Sequence, residues 1–238
     1  MRRGLLLALT ALLLGCGAGP QAGFGPVEPL PTPGSLLVCS GEPFPHAGLH
    51  GPAVTEADDE AALAFREWFE AEAREPLARG GPEGWWVLQR SSDTAEFATG
   101  GHPEEQHPYQ TVVFEREGAE WRFLRGGGCT PRPFHPGGSA ASWWPTDLVA
   151  AETSQLDIEV RERACASGES AEGRILDPVI RSDEHTVVVS VFVRPLDGDQ
   201  TCPSNPATPF TLDLDEPLGD RELLDGGVYP PRDPAPDG

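Results

Sequence analysis

The chain has no lysine, so arginine alone supplies its fixed positive side chains, and 17 arginines stand against 38 acidic residues. The formal net charge of −21 repels phosphate groups, so nucleic acid is not an expected partner. Long apolar runs are also missing. The uncharged run at residues 5–14 is about half as long as the roughly 20 residues that a membrane-spanning helix needs.

The usual nucleophile motifs are absent from the sequence as well. A serine–x–x–lysine pair is excluded because there is no lysine, and the segment GESAE at residues 168–172 has Glu172 where a G-x-S-x-G elbow needs its last glycine. The C-x₂₋₄-C spacing of a four-cysteine zinc site does not occur. The sequence therefore predicts no catalytic residue and no cofactor.

The first residues have the pattern of an export signal. Arg2 and Arg3 precede the uncharged run, which ends in LLGC at residues 13–16. This ending resembles the lipobox of bacterial lipoproteins, in which the cysteine thiol is acylated and the signal is cut off before it. The resemblance implies a signal peptide at residues 1–15 and a membrane anchor on Cys16, with the protein held outside the cytoplasm.

The other cysteines predict disulfides. If Cys16 carries lipid, four cysteines remain, and an even number suits an oxidising compartment. Four cysteines allow three pairings. We favour the pairing that closes one region of the chain with each bond, namely Cys39 with Cys129 and Cys165 with Cys202.

The first part of the chain predicts a tether and an α+β domain. Residues 16–35, rich in proline and glycine, are expected to be a lipidated tether of extended backbone. Residues 36–150 follow as a small domain with one helix at 56–74, where the segment TEAD at 55–58 resembles a capping box. An antiparallel meander is predicted after the helix, with strands at 84–90, 94–99, 110–115 and 120–125.

The second part, residues 151–229, predicts a mostly β, sandwich-like domain. Apolar and polar residues alternate at 156–160 and 210–215, and the valine-rich run at 187–193 is typical of a strand buried on both faces. No helical pattern intervenes, so the fold class of the whole chain is α+β. The tail at residues 230–238 is predicted to be disordered.

Several short segments of this second region carry a further resemblance, namely residues 165–168, 173–174, 193–196, 200–203, 205–206, 217–221 and 229–231. In these segments the region resembles uncharacterised lipoproteins of GC-rich Gram-positive bacteria. The resemblance implies the class of protein and its location, but it implies no activity.

Two groups of histidines are weak candidates for a metal site. His102, Glu104, Glu105 and His107 combine ligand types that bind zinc, but Pro103 and Pro108 place them on a loop, and a solvated loop is the expected outcome.

The other histidine group depends on the favoured pairing of Cys39 with Cys129. That disulfide would bring His46, His50 and His135 to one edge of the domain. Three neighbouring histidines suit a catalytic zinc ion.

Two tryptophan pairs are candidates for a contact surface. Neighbours in a strand point to opposite faces, so one member each of Trp85-Trp86 and Trp143-Trp144 could be exposed. Exposed indoles often mark surfaces that bind sugars or proteins, whereas coverage of both faces would make all four structural.

Together these patterns predict a membrane-anchored extracytoplasmic lipoprotein that binds rather than catalyses. An envelope protein or a cell-wall component is its expected partner. The alternative is a membrane-tethered extracellular hydrolase, metal-dependent through its histidines.

Overall fold

The computed structural model describes residues 36–39, 42–73, 81–100 and 109–236. The protein is mostly β, with 42% strand and 11% helix, and this confirms the predicted fold class of one helix with antiparallel sheets. Every described residue belongs to one compact unit. The described helices include none that is long and apolar enough to cross a membrane.

The strands and helices follow in this order along the chain. The strands of the first half are β1 (Leu36–Val38), β2 (Phe44–Pro45), β3 (Trp85–Arg90), β4 (Thr94–Gly100), β5 (Tyr109–Glu117), β6 (Glu120–Cys129) and β7 (Arg132–Pro133). Those of the second half are β8 (Ser139–Ala140), β9 (Ser142–Pro145), β10 (Gln155–Arg161), β11 (Val179–Ser182), β12 (Thr186–Ser190), β13 (Phe192–Val193), β14 (Thr208–Asp213) and β15 (Glu222–Asp225). The α-helix is α1 (Glu60–Glu72), and His46–His50 and Pro82–Gly84 are short 3₁₀ helices.

Helix α1 begins later than the sequence predicts. Its N-cap is Asp59, whose Oδ1 accepts a hydrogen bond from the backbone N–H of Ala62 at 3.2 Å. The predicted capping box at Thr55 is therefore wrong. The backbone N–H of Glu56 donates instead to the carbonyl of Ala53 at 3.0 Å, which holds this segment in a turn.

The predicted meander is confirmed as a four-stranded antiparallel sheet in the order β3-β4-β5-β6. Phe65 on α1 lies at the centre of its helix-facing core, with ring centroids 4.7 Å from Phe97 and 5.3 Å from Trp85. Strand β6 continues beyond its predicted end at residue 125 through the three glycines at 126–128, and Cys129 still pairs with Tyr109. This extension brings Cys129 to β1 and its partner Cys39.

The second half forms two three-stranded sheets over one core. The sheets have the orders β14-β10-β9 and β11-β12-β15, and Ile158, Trp143 and Val189 are buried between them. The burial of β10 alternates as predicted. The predicted strand at 187–193 is divided into β12 and β13 because Val191 leaves the ladder, and its backbone carbonyl accepts from the N–H of Ala141 at 2.9 Å.

The predicted boundary at residue 150 stays a prediction, but the strand just before it packs with the second region. Strand β9, at Ser142–Pro145, pairs with β10 and supplies Trp143 to the C-terminal core. The tail also departs from prediction, since Asp225 and Arg232 exchange two backbone hydrogen bonds of 2.7 and 3.2 Å. The prediction of disorder is wrong at Arg232, because an extended proline-rich segment can still pair with a strand edge.

Candidate functional site

A cleft of about 880 Å³ lies where the tail meets the second half of the protein. Four arginines line it: Arg132, Arg161, Arg163 and Arg232. We call this the arginine cleft. Its size falls within the range of ordinary small-molecule sites, about 300–1,000 Å³. The lining also includes two carboxylate residues, Glu162 and Asp233, in a protein whose net charge is −21.

Distant parts of the chain bring these arginines together. Arg132 lies on β7, Arg161 ends β10, and Arg163 follows two residues later. Arg232 comes from the tail and is held by its backbone bridge to Asp225. The cleft therefore depends on the packing of the tail, which the sequence predicts to be disordered.

The Arg163 side chain is only 9% exposed and is bonded to three other parts of the chain. Its guanidinium donates to the carbonyl of Ala141 at 2.7 Å and to that of Gly227 at 3.3 Å, and it lies 3.5 Å from Asp225 Oδ2. Burial raises the pKa of the Asp225 carboxyl, although the nearby Arg163 charge and the Gly227 N–H act in the opposite direction. This network joins β15 to the segment before β9.

A disulfide and hydrogen bonds hold the wall of the cleft. Cys165 and Cys202 are joined, with their Cα atoms 4.5 Å apart. Beside them, Ser167 donates its backbone N–H to the Thr201 carbonyl at 3.0 Å, and the Thr201 N–H donates to Ser167 Oγ at 3.1 Å. The two loops of the wall are thus cross-linked by a covalent bond and by hydrogen bonds.

Two buried acceptors lie in this wall. Asn205 donates from Nδ2 to the carbonyls of Glu162 and Ala164 at 2.9 and 2.7 Å. Glu162 forms an ion pair through Oε2 with Arg174, at 2.6 Å. Among the residues that the structure describes, none donates a hydrogen bond to Asn205 Oδ1 or to Glu162 Oε1. A buried acceptor without a donor costs free energy, about 1–3 kcal/mol. The wall therefore contains two oxygens that would gain from a donor.

Both predicted disulfides are present in the structure. Cys39 and Cys129 are joined with Cα atoms 5.6 Å apart, which is within the usual range for this bond, and Cys165 pairs with Cys202 as above. Cys16, the predicted lipidation site, lies outside the described residues.

The tryptophan pairs divide between core and half-buried positions. Trp85 and Trp143 are buried, whereas Trp86 and Trp144 are half-buried. Trp86 Nε1 donates to the Gly48 carbonyl at 3.1 Å, and the Arg161 guanidinium lies over the Trp144 ring at 5.1 Å. Trp144 therefore contacts one of the cleft arginines, which the sequence does not reveal.

The proposed three-histidine cluster is wrong. His46 packs edge-on against Tyr229, with centroids 4.6 Å apart, whereas the His135 ring packs against Phe192 at 4.7 Å. Across the residues that the structure describes, no group of three or more histidine, cysteine, aspartate or glutamate side chains could hold a metal ion. The other candidates, His102, Glu104, Glu105 and His107, lie outside the described residues.

A second, smaller cavity of about 320 Å³ contains a buried carboxyl group. Glu96 on β4 is 3% exposed, and its Oε2 accepts from Gln89 Nε2 at 3.0 Å. Burial raises the pKa of Glu96, although the Gln89 hydrogen bond and the Arg125 charge lower it in part. The Glu96 carboxyl group therefore keeps its proton to a higher pH than an exposed glutamate does.

No protein-family model, curated protein or solved structure matches this chain. The resemblances of residues 13–16 to a lipobox and of the C-terminal region to uncharacterised lipoproteins therefore stay predictions. The arginine cleft and the Glu96 cavity are two candidate sites in the described residues.

Proposed function

We propose that the chain is an exported lipoprotein, anchored by acyl chains on Cys16, whose folded body is a non-catalytic binding module. The observation that supports binding is the arginine cleft. Its wall is cross-linked before any ligand arrives, and preorganisation of this kind reduces the cost of ordering a site on binding.

Three of the groups in the cleft that could act as nucleophiles are engaged in other bonds. Cys165 and Cys202 are oxidised to a disulfide, so neither offers a thiolate. The Ser142 hydroxyl donates to the Arg161 carbonyl at 3.3 Å, which directs its proton to a backbone acceptor rather than to a general base. These contacts favour a role in binding over a role in covalent catalysis.

The proposed location is supported by the two disulfides. Structural disulfides persist in oxidising compartments and are rare in the cytosol. Their presence agrees with export, and the LLGC segment at residues 13–16 supplies the expected signal for acylation.

Mass spectrometry of the membrane-extracted protein tests the anchor. The expected result is a chain that begins at Cys16 and carries the added mass of acyl chains, with the C16S variant released from the membrane fraction. A wild-type protein that still begins at Met1 and lacks acyl mass would contradict the proposal.

A second candidate, a membrane-tethered hydrolase, is supported by Glu96 alone. Its buried carboxyl group is suited to general-acid catalysis. The test is a panel of ester, glycoside and peptide substrates with the wild-type protein and with E96Q. Hydrolysis that E96Q abolishes, with no change in folding, would favour this candidate over the binding module.

A further inference from the structure

We infer that a third cavity, beside Tyr229, binds a small neutral aromatic molecule with one hydroxyl or N–H group, of the chemical class of phenols and indoles. The cavity has a volume of about 260 Å³ and is lined by residues of β1, β7, β11, β12 and the segment 226–231. We call it the Tyr229 cavity. The inference goes beyond the proposed function, because it concerns a site other than the arginine cleft and does not depend on the lipid anchor.

The lining of the Tyr229 cavity is mainly apolar. Its apolar side chains are those of Leu37, Pro133, Val188, Val228 and Pro231. Protein interiors are close-packed, and an apolar space of this size loses van der Waals contacts and holds water poorly. An apolar ligand would therefore supply contacts that the chain does not make by itself.

The size and the rings of the lining favour an aromatic ligand. A cavity of about 150 Å³ accepts benzene, so the larger Tyr229 cavity has room for a substituted ring or for two fused rings. His46, Pro133, Tyr229 and Pro231 all contribute rings to the lining, and the His46 ring meets the Tyr229 ring edge-on at 4.6 Å. Aromatic rings pack favourably against one another in edge-on and offset arrangements, so a flat ring suits this site.

The charges at the cavity favour a neutral ligand. None of the described residues that line it is acidic, although the chain has 38 acidic residues. Arg181 also belongs to the lining, where its charge disfavours a cation, and it already has a partner within the chain. An ion that enters an apolar space without a partner loses its hydration, and this cost selects against charged molecules.

Two polar groups of the lining are suited to orient such a ligand. His46 is exposed and Tyr229 is half-buried, and no described residue forms a hydrogen bond with the His46 imidazole or the Tyr229 hydroxyl. A neutral imidazole can accept one hydrogen bond, and a phenol hydroxyl can donate or accept. Ser190 is different, because its Oγ already donates to the Gly226 carbonyl at 2.9 Å. One hydroxyl or N–H group on the ligand would therefore bind to His46 or to Tyr229.

The walls of the cavity are held in place by the backbone. The Gly226 N–H donates to the Val189 carbonyl at 2.8 Å, which fixes the start of the segment 226–231 on β12. The Tyr229 N–H donates to the Pro131 carbonyl, also at 2.8 Å, which fixes the ring-bearing part of the same segment. A site that is formed before binding has a smaller entropic cost of ordering when a ligand enters.

Fluorine NMR of the full-length protein tests the inference at the site itself. The chain has two tyrosines, Tyr109 and Tyr229, so 3-fluorotyrosine labelling gives two signals, and Y109F assigns them. We expect phenol and indole to shift the Tyr229 signal in a saturable way. Uptake of the probes by detergent does not imitate this result, because the signal comes from a residue of the lining.

Four further probes test each required feature of the ligand. Benzoate and benzylamine keep the ring but carry a negative and a positive charge, and each is expected to bind at least about tenfold more weakly than phenol. Toluene has no hydrogen-bonding group and cyclohexanol has no aromatic ring, and each is expected to bind at least about fivefold more weakly.

Three outcomes would overturn the inference. No saturable shift with phenol or indole would mean that the cavity is closed in solution or is filled by another part of the chain. Equal binding of benzoate or benzylamine would remove the selection for a neutral ligand. Equal binding of toluene or cyclohexanol would remove the requirement for a hydrogen bond or for an aromatic ring.

A variant that fills the cavity locates the binding site. V188F places a larger side chain in the lining and is expected to abolish the phenol-dependent shift. V179F is the matched control, because Val179 pairs with Ser190 on the same face of the sheet and is also half-buried, but it is not part of the lining. Equal binding by wild type and V188F, with V188F folded by circular dichroism, would mean that phenol binds elsewhere.

A second pair of variants tests the polar contact. H46F keeps a ring beside Tyr229 but removes the imidazole nitrogens, so phenol should bind about fivefold more weakly while the affinity for toluene stays unchanged. H50F is the control, since the His50 ring lies 6.2 Å from that of His46 but is not part of the lining. Equal weakening of phenol and toluene by H46F would mean that His46 contributes only packing.

Discussion

Arg174 and Glu162 form an ion pair in which Nη2 and Oε2 are 2.6 Å apart, with side chains only 11% and 2% exposed. Arg174 also donates to the backbone carbonyls of Ser170 and Arg194, at 2.9 and 2.7 Å. One guanidinium therefore neutralises a carboxylate in the wall of the cleft and fixes two loops. A buried pair of this kind specifies geometry more than it adds stability, because both charges have lost their hydration.

The first prediction concerns the loss of one member of this pair. R174M leaves the Glu162 charge buried without compensation, so the free energy of unfolding should fall by about 3–5 kcal/mol. The double variant E162Q/R174M removes both charges and should recover part of this loss. Urea unfolding measures all three proteins, and equal stability of the single and double variants would contradict a buried ion pair.

An exposed arginine provides the control for this experiment. Arg122 pairs with Glu117 and Glu120 at 3.0 Å, but all three side chains are more than half exposed. Water screens such pairs, so R122M should leave the unfolding midpoint nearly unchanged.

The second prediction compares the two disulfides. C165A/C202A opens a loop of sequence separation 37, and C39A/C129A opens one of 90. On the loop-entropy account the losses are about 4 and 5 kcal/mol, so the second variant should be the less stable. Thermal unfolding of both proteins measures the order, and a reversed order would mean that native contacts rather than loop length control the effect.

The third prediction concerns the start of α1. Asp59 caps the helix through the Ala62 N–H and also forms an ion pair with Arg90. D59A should lower the free energy of unfolding by about 1 kcal/mol, whereas D59N keeps an acceptor for the cap and should lose less. T55A is the control, since Thr55 lies outside the helix. A larger effect of T55A than of D59A would restore the capping box that the sequence predicts.

Local patterns predicted the elements whose partners are close in sequence. The sequence predicts β10 because one face of this strand is buried in the core, so apolar and polar residues alternate along it. It predicts the hairpin of β5 and β6 because these two strands are neighbours in the sequence and pair with each other. No local pattern predicts strand β15, because it is short and pairs in parallel with β12, more than thirty residues earlier. The favoured disulfide pairing can also be predicted from the sequence, because each bond closes a region that local patterns already define.

The cleft could not be predicted from local patterns. Its arginines are spread from Arg132 to Arg232 and meet only after the tail has packed. The composition gives one indication of the cleft, because a cluster of arginines is unusual in a chain with so few cationic residues. The position of the cluster requires the tertiary structure, because side chains a hundred residues apart share no periodicity.

The last prediction concerns acid pH and Glu96. Burial raises the pKa of Glu96 above its ordinary value of 4.5, so the folded protein holds this proton more tightly than the unfolded chain does. The stabilising contribution of the protonated form is fully present below pH 4.5 and is lost as pH rises through the folded pKa. In E96Q the side chain does not titrate, so this pH-dependent loss of stability does not occur. Its stability relative to wild type should therefore rise with pH above 4.5 and then become constant.

Urea unfolding of wild type and E96Q at several pH values between 4 and 8 measures this difference. Q89A provides a matched comparison, because it removes the Gln89 hydrogen bond that stabilises the Glu96 carboxylate. Without this hydrogen bond the pKa of Glu96 in the folded protein should rise further. The stability of Q89A should therefore go on falling to a higher pH than the stability of wild type does. Parallel curves for wild type and E96Q would mean that Glu96 titrates alike in the folded and unfolded states, which would also remove the support for a proton-donating role.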